Sequence, residues 1–149
     1  MLNSNFKDML TALSDADVDY LLVGGYAMAA HGCPRATGDI DIWIRPTADN
    51  AAKAWKALER FGAPLSRMTV TDFHTPDIVY QIGLPPQRID ILTSVSGVDF
   101  EAAWAERMPI EVESLAVSVI GLRHLYENKL SCGRDRDLLD AKILMKLMG

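Results

Sequence analysis

The sequence predicts a mixed α+β fold: a small sheet with helices packed on one face and a carboxylate site on the other. Three observations carry that expectation. Apolar residues recur at helical spacing in some segments and alternate in others. The segments interleave as helix, strand, helix, strand, helix, hairpin, helix, strand, helix, helix, an order suited to helices covering a small sheet. The run GDIDIWI at 38–44 sets Asp39 and Asp41 on one side of a strand and Ile40, Ile42 and Ile44 on the other. A strand buried on both faces would be apolar throughout, so one face of this sheet is free for chemistry.

Each element follows from local pattern. Phe6, Met9, Leu10, Leu13 and Ala16 form a single apolar stripe, which predicts a helix over 3–17. Residues 20–23 read as a short buried strand running into Gly24-Gly25, and 26–31 as an alanine-rich helix stopped by Gly32 and Pro34. After the strand at 39–44, Pro46 and Thr47 open a helix whose Ala51, Trp55, Leu58 and Phe61 share a face, and Gly62 with Pro64 closes it. Residues 68–71 suggest a short strand, and 78–84 with 88–93 a hairpin joined through Pro85-Pro86. A short helix over 99–107 would turn Phe100, Ala103 and Trp104 inward, followed by strands at 110–112 and 116–120. Two helices, 122–130 and 137–148, end the chain with a break at 131–133. No repeat or linker interrupts the pattern, so residues 1–149 are expected to form one domain with a C-terminal helical pair from about 121.

Composition narrows the function classes. With 149 residues, 49% of them hydrophobic, the chain is long enough for a real core. Its longest apolar runs fall far short of the roughly 20 residues of a membrane span, so no membrane partner is expected. The start, MLNSNFKDML, lacks the basic-then-apolar order of a secretory signal, which makes cytoplasmic residence the expectation. Cys33 and Cys132 belong to no metal-type or redox motif and read as reduced thiols. A net charge of −5 argues against extended nonspecific binding of DNA. Arg123, Lys129, Arg134 and Arg136 nevertheless gather in a short stretch where phosphate could be read locally.

The candidate chemistry lies in the acids. Asp90, in RIDIL at 88–92, repeats the alternation of the first pair, with Ile89 and Ile91 inward. If the two strands are neighbours, Asp39, Asp41 and Asp90 crowd one patch. At about 5 Å and an effective dielectric of about 20, each anion pair costs roughly 3 kcal/mol. A divalent cation reverses that sign, and all-oxygen ligands of this hardness suit Mg²⁺ or Mn²⁺. Against this stands a plainer reading of Asp90 as a strand residue paired with Arg88. Lys129 reads equally as a helix C-terminal cation, Asp137 as a helix cap, and Asp140 as a partner for Lys129 or Arg134. His31 and His74 have no other ligand-type residues near them in sequence, and Trp43 shares the acids' face, where it either packs or borders a ligand.

The run LLVGGYAMAAHGCPRATGDIDIWI at 21–44 resembles the signature of the DNA polymerase β-like nucleotidyltransferase superfamily: strand, Gly-Gly turn opening a helix, then Asp-x-Asp, with a third carboxylate on a later strand. Small bacterial members from toxin–antitoxin and abortive-infection systems are similar also in the tail, where Lys129 precedes GRDRDLLDA. The resemblance implies transfer of a nucleoside monophosphate from a nucleoside triphosphate to a hydroxyl on an RNA end or a protein, with pyrophosphate leaving. Asp39, Asp41 and Asp90 would be the catalytic metal ligands, two ions acting together. Gly24, Gly25 and Tyr26 would offer backbone N–H groups to phosphates, and Lys129 a point charge. Many members have Ser where this chain has Gly25. The Gly-Gly-aromatic variant, with Arg35 and Thr37 before the acids, is also similar to small antibiotic adenylyltransferases. Three readings therefore stand: a nucleotidyltransferase of a toxin–antitoxin or defence system with a cognate partner protein, an antibiotic adenylyltransferase, and a non-catalytic nucleotide-binding or interaction module.

Overall fold

The computed structural model describes residues 2–34 and 38–149. Helix α1 (Ser4–Asp15) starts where the Asn3 side chain accepts the Phe6 N–H at 2.9 Å, and it buries Phe6, Met9, Leu10 and Leu13. Strand β1 (Tyr20–Val23) follows and runs directly into helix α2 (Gly24–Ala30). Next come β2 (Ile40–Ile44) and α3 (Ala48–Phe61), capped by Thr47 and ended by Gly62 in the left-handed conformation at φ 90°. Strands β3 (Val79–Ile82) and β4 (Ile89–Leu92) form the hairpin, α4 (Phe100–Ala105) is capped by Asp99, and β5 (Met108–Val112) pairs with β6 (Leu115–Val119). Helices α5 (Leu122–Cys132) and α6 (Asp135–Met148) complete the fold.

The six strands make one mixed sheet in the order β3-β4-β2-β1-β6-β5. Strand β2 pairs antiparallel with β1 and parallel with β4. Strand β6 runs parallel to β1 and antiparallel to β5. On one face Ile40, Ile42 and Ile44 are fully buried, extended sideways by Ile89 and Ile91 on β4. Tyr80 lies opposite Ile91 on that same face and meets the ring of Phe73 edge-on, and Phe73 in turn meets Trp55 of α3. That chain of rings puts α3 on the isoleucine face, with α1 packed along it. At about 1.5–3 kcal/mol per buried large aliphatic side chain, this layer is the main source of cohesion.

The opposite face carries the acids and is open only in part. Trp43, two residues beyond Asp41, meets Phe100 of α4 edge-on with ring centroids 5.0 Å apart. The Arg45 guanidinium covers Phe100 and Trp104, while pairing with Asp19 and, at 2.9 Å, Glu101. Trp43 is 1% exposed, which makes it a core residue and not a border of any ligand site.

Three elements differ from the sequence expectation. Residues 68–71 form no strand: Val70–His74 is a 3-10 helix, because Asp72 accepts the Thr69 N–H at 2.8 Å and Phe73 turns into the core. Helix α2 begins two residues early, at Gly24, and α5 continues through the expected break to Cys132, so that only Gly133 and Arg134 separate it from α6. Among the described residues no helix is long and apolar enough to cross a membrane.

The register of β1 against β2 is held by a buried side chain. Asn50, 3% exposed, accepts the Asp19 N–H at 2.8 Å and donates to the carbonyls of Asp19 and Arg45, each at 3.0 Å. It thereby ties the first residue of α3's inner face to both strand ends. Asn50→Ala strands these backbone groups and should cost about 2–4 kcal/mol, read as a lowered urea midpoint at unchanged slope. A loss under about 1 kcal/mol would mean that water replaces these bonds freely.

Candidate active site

The site forms where β1 ends and β2 and β4 begin. Parallel pairing places Asp41 and Asp90 on the same rung, and antiparallel pairing places Val23 across from Asp41 on its other side. Because cross-strand neighbours share a face, the two carboxylates point the same way, away from Ile40, Ile42 and their neighbours. Asp39 stands just before β2. Its Oδ1 accepts the backbone N–H of Arg88 at 2.9 Å, while Oδ2 lies 3.4 Å from Arg88 Nη2.

Arg88 occupies the centre of this arrangement. Its Nε and Nη2 donate to the two oxygens of Asp90 at 2.6 and 3.0 Å, a bidentate contact made possible because residues i and i+2 of β4 share a face. Hydrogen bonding to Asp90 raises the Arg88 pKa, so the guanidinium is held charged. Asp90 is 7% exposed, and its pairing with Arg88 and its place beside Asp41 are both realised.

Asp41 bears the electrostatic cost. Burial, followed by the charge of Asp90, a shared hydrogen bond with it and the charge of Asp39, pushes its pKa up to about 6, with Arg88 opposing. Gly24 lies against it. This glycine has φ 68°, and a Cβ added there would run into Asp41 Oδ2, so the turn backbone touches the carboxylate because it has no side chain. The helix that the turn opens has Val23 as its N-cap, which offers no side-chain acceptor to the first-turn N–H groups.

A cleft of about 290 Å³ runs from Gly24 and Asp41 past Leu92, Ser94 and Ser96 to Asn128, Lys129, Arg134 and Asp137 on the α5–α6 pair. Lys129 Nζ is 3.0 Å from Asp140 and 3.6 Å from Asp137. Asp137 also caps α6, accepting the backbone N–H of Arg134 at 3.2 Å and its Nε at 2.6 Å, and that bonding to Arg134 lowers its pKa. The Arg134 side chain itself is well exposed.

Of the residues singled out from sequence, Asp39, Asp41 and Asp90 lie together, Gly24 touches Asp41, and Lys129 lines the same cleft. Gly25 and Tyr26 open α2, and the partly buried Tyr26 ring packs edge-on against Phe6 at 5.8 Å. Arg35 and Thr37 lie outside the described residues. Among the described residues no three His, Cys, Asp or Glu side chains stand as a ready-made metal cluster, Asp39 and Asp90 being turned to Arg88. The His31 ring donates from Nε2 to the Ile120 carbonyl, 2.7 Å away, and takes no part in the site. Sequence reasoning missed the double engagement of Arg88, although its spacing from Asp90 on one strand face was a usable signal. It missed Ser94, Ser96 and Asn128, for which no signal existed.

No protein-family model and no curated protein sequence matches the chain. Solved structures do. A protein of Thermotoga maritima, TM1012, with a provisional nucleotidyltransferase assignment, superposes with a TM-score of 0.63 at 16% identity over 96% of this chain and 89% of that one. The fold is that of a nucleotidyltransferase. The antibiotic-resistance factor ANT(2'')-Ia has a TM-score of 0.65 at 11% identity, covering 98% and 83% of the two chains. An antigenic nucleotidyltransferase-like protein of Paracoccidioides brasiliensis has 0.54 at 17%, covering 96% and 74%. At these identities the likeness to nucleotidyltransferases is one of fold.

Two stability predictions follow from the site's charges. A carboxyl whose folded pKa is raised favours the folded state below its unfolded value and loses that advantage as pH rises through the folded value. For Asp41 the window runs from 3.8 to about 6. Asp41→Asn should therefore stabilise the protein by on the order of 2–3 kcal/mol near neutral pH, with the gain vanishing below about pH 4, in denaturation curves taken at both. Lys129→Met should act oppositely, costing about 3 kcal/mol by leaving Asp140 without its cation in a buried setting. An unchanged melting temperature would contradict that.

Proposed function

We propose that the protein is a metal-dependent nucleotidyltransferase that moves a nucleoside monophosphate from a nucleoside triphosphate, such as ATP, to an acceptor hydroxyl. The observation that carries this reading is the rung shared by Asp41 and Asp90, closed against by the Gly24 turn and faced by Lys129 across one cleft. The donor set suits a hard cation: carboxylates only, one of them at a pKa near 6 because no positive charge sufficient to offset burial lies beside it. Asp39, Asp41 and Asp90 would hold Mg²⁺ or Mn²⁺, which when bound would polarise the α-phosphoryl group and neutralise charge on the leaving pyrophosphate.

The chain's own groups supply the rest. N–H groups of Gly25 and Tyr26, without a side-chain cap, are donors for the non-transferred phosphates. Lys129 and Arg134 on the far wall would turn toward the phosphates from their partners Asp137 and Asp140. Asp90, once released from Arg88, would take the acceptor's proton as the new oxygen–phosphorus bond forms and the bond to pyrophosphate breaks. A net charge of −5, with Lys129 and Arg134 on the cleft wall, favours an acceptor that meets the site locally, as an RNA end or a protein side chain would, in a defence or toxin–antitoxin setting. The likeness to ANT(2'')-Ia favours a second reading, modification of a small antibiotic hydroxyl.

The test is incubation of the purified chain with α-labelled nucleoside triphosphates and Mg²⁺ in the presence of total tRNA, cell protein or aminoglycosides. Label should pass to one acceptor class, and Asp41→Asn or Asp90→Asn should reduce transfer by at least about 10³-fold. Absence of transfer to every class by the folded protein would reject the catalytic reading and leave a nucleotide-binding module.

A further inference from the structure

Arg88 does more in this structure than neutralise a neighbour. Its guanidinium holds both oxygens of Asp90 and also reaches Asp39 Oδ2, and its own backbone N–H fixes Asp39 Oδ1. The carboxylates that the nucleotidyltransferase reading assigns to a divalent ion are thus already engaged by an internal cation. With the side chain 24% exposed, Arg88 has a route out of the site that a fully buried arginine would lack. We propose that Arg88 is a resident counter-cation that competes with the divalent ion for Asp39 and Asp90 and, once displaced, turns its planar fork to the triphosphate.

This inference rests on that functional reading and adds a regulation to it. In the empty site Arg88 offsets the mutual repulsion of carboxylates whose strands the isoleucine rungs hold in register. Metal alone must displace a bidentate, charge-assisted contact and therefore binds weakly. A triphosphate arriving with its metal gives the guanidinium a new anion, so the two ligands favour each other's binding. Arg88 is in this sense a positioning residue. A simple fixed ion pair makes the opposite prediction for metal affinity, because removing Arg88 would then only disorder Asp90.

The measurement is free Mn²⁺ by electron paramagnetic resonance, titrating the full chain without nucleotide at about 0.1 M salt, where screening acts over about 10 Å. Removing one positive charge within about 5 Å of a divalent ion should tighten Mn²⁺ binding by Arg88→Gln about tenfold relative to wild type. Arg88→Lys, which keeps the charge but loses the fork, should fall between them, and Arg88→Gln combined with Asp90→Asn should lose the gain. In thermal unfolding, Arg88→Gln should melt below wild type without metal and recover more on adding Mn²⁺ than wild type gains. Equal or weaker Mn²⁺ binding by a folded Arg88→Gln overturns the inference. If wild type nevertheless transfers label, the functional reading survives that result. If neither protein binds Mn²⁺ and no label moves, both are overturned together.

Discussion

Everything about this site depends on two parallel strands being in register. Side chains across a β2–β4 rung must share a face, so Ile40 meets Ile89, Asp41 meets Asp90 and Ile42 meets Ile91. The rungs on either side of the acids supply the force. Each buried isoleucine contributes roughly 1.5–3 kcal/mol, against a mutual repulsion of about 3 kcal/mol between adjacent carboxylates. Four isoleucines therefore outweigh one opposed acid pair. A shift by one residue would send the isoleucines to the open face, so the same alternation that builds the core prevents the acids from relaxing apart.

The remaining repulsion is handled unequally. Asp90 and Asp39 share Arg88, whereas the half-buried Asp41 lies beside both and carries the raised pKa. The sheet's other helices do not help: α4 seals the far end of that face with Phe100 edge-on against Trp43, which keeps water and ligand to the Gly24 end. Local destabilisation at one carboxylate is thereby confined to the mouth of a cleft, while cohesion is concentrated a single strand thickness away.

Much of this was legible in the sequence because it rests on short-range periodicity. The run GDIDIWI states which residues face the core, and RIDIL repeats the pattern, so the pairing of Asp41 with Asp90 needed only that β2 and β4 be neighbours. Gly24-Gly25 marked the turn. What was not legible depends on contacts distant in sequence or on local capping. Met68 to Thr71 looks like a strand, but Thr69 and Asp72 bond each other and Phe73 is required between Trp55 and Tyr80, and that tertiary demand overrides propensity. Trp43 shares the acids' parity, yet Phe100 lies fifty-odd residues on and nothing near Trp43 announces it. Lys129 was visible as a cation with Asp140 as one candidate partner, and that pair is present, but its second partner, Asp137, follows only from the α5–α6 crossing. The geometry of Arg35 and Thr37 lies outside the described residues.

The Lys129 arrangement reaches beyond its own stability. One ammonium is shared by Asp137 and Asp140, and Asp137 is shared again with Arg134, so the four groups sum to no net charge. The potential along this wall of the cleft is thus set by how these four divide among themselves, on a helix pair that contributes no carboxylate to the rung. A substitution on α6 can make that wall more attractive or more repellent to anions while leaving every atom of the β2–β4 floor in place, giving the chain an adjustment of anion affinity that is separable from its chemistry.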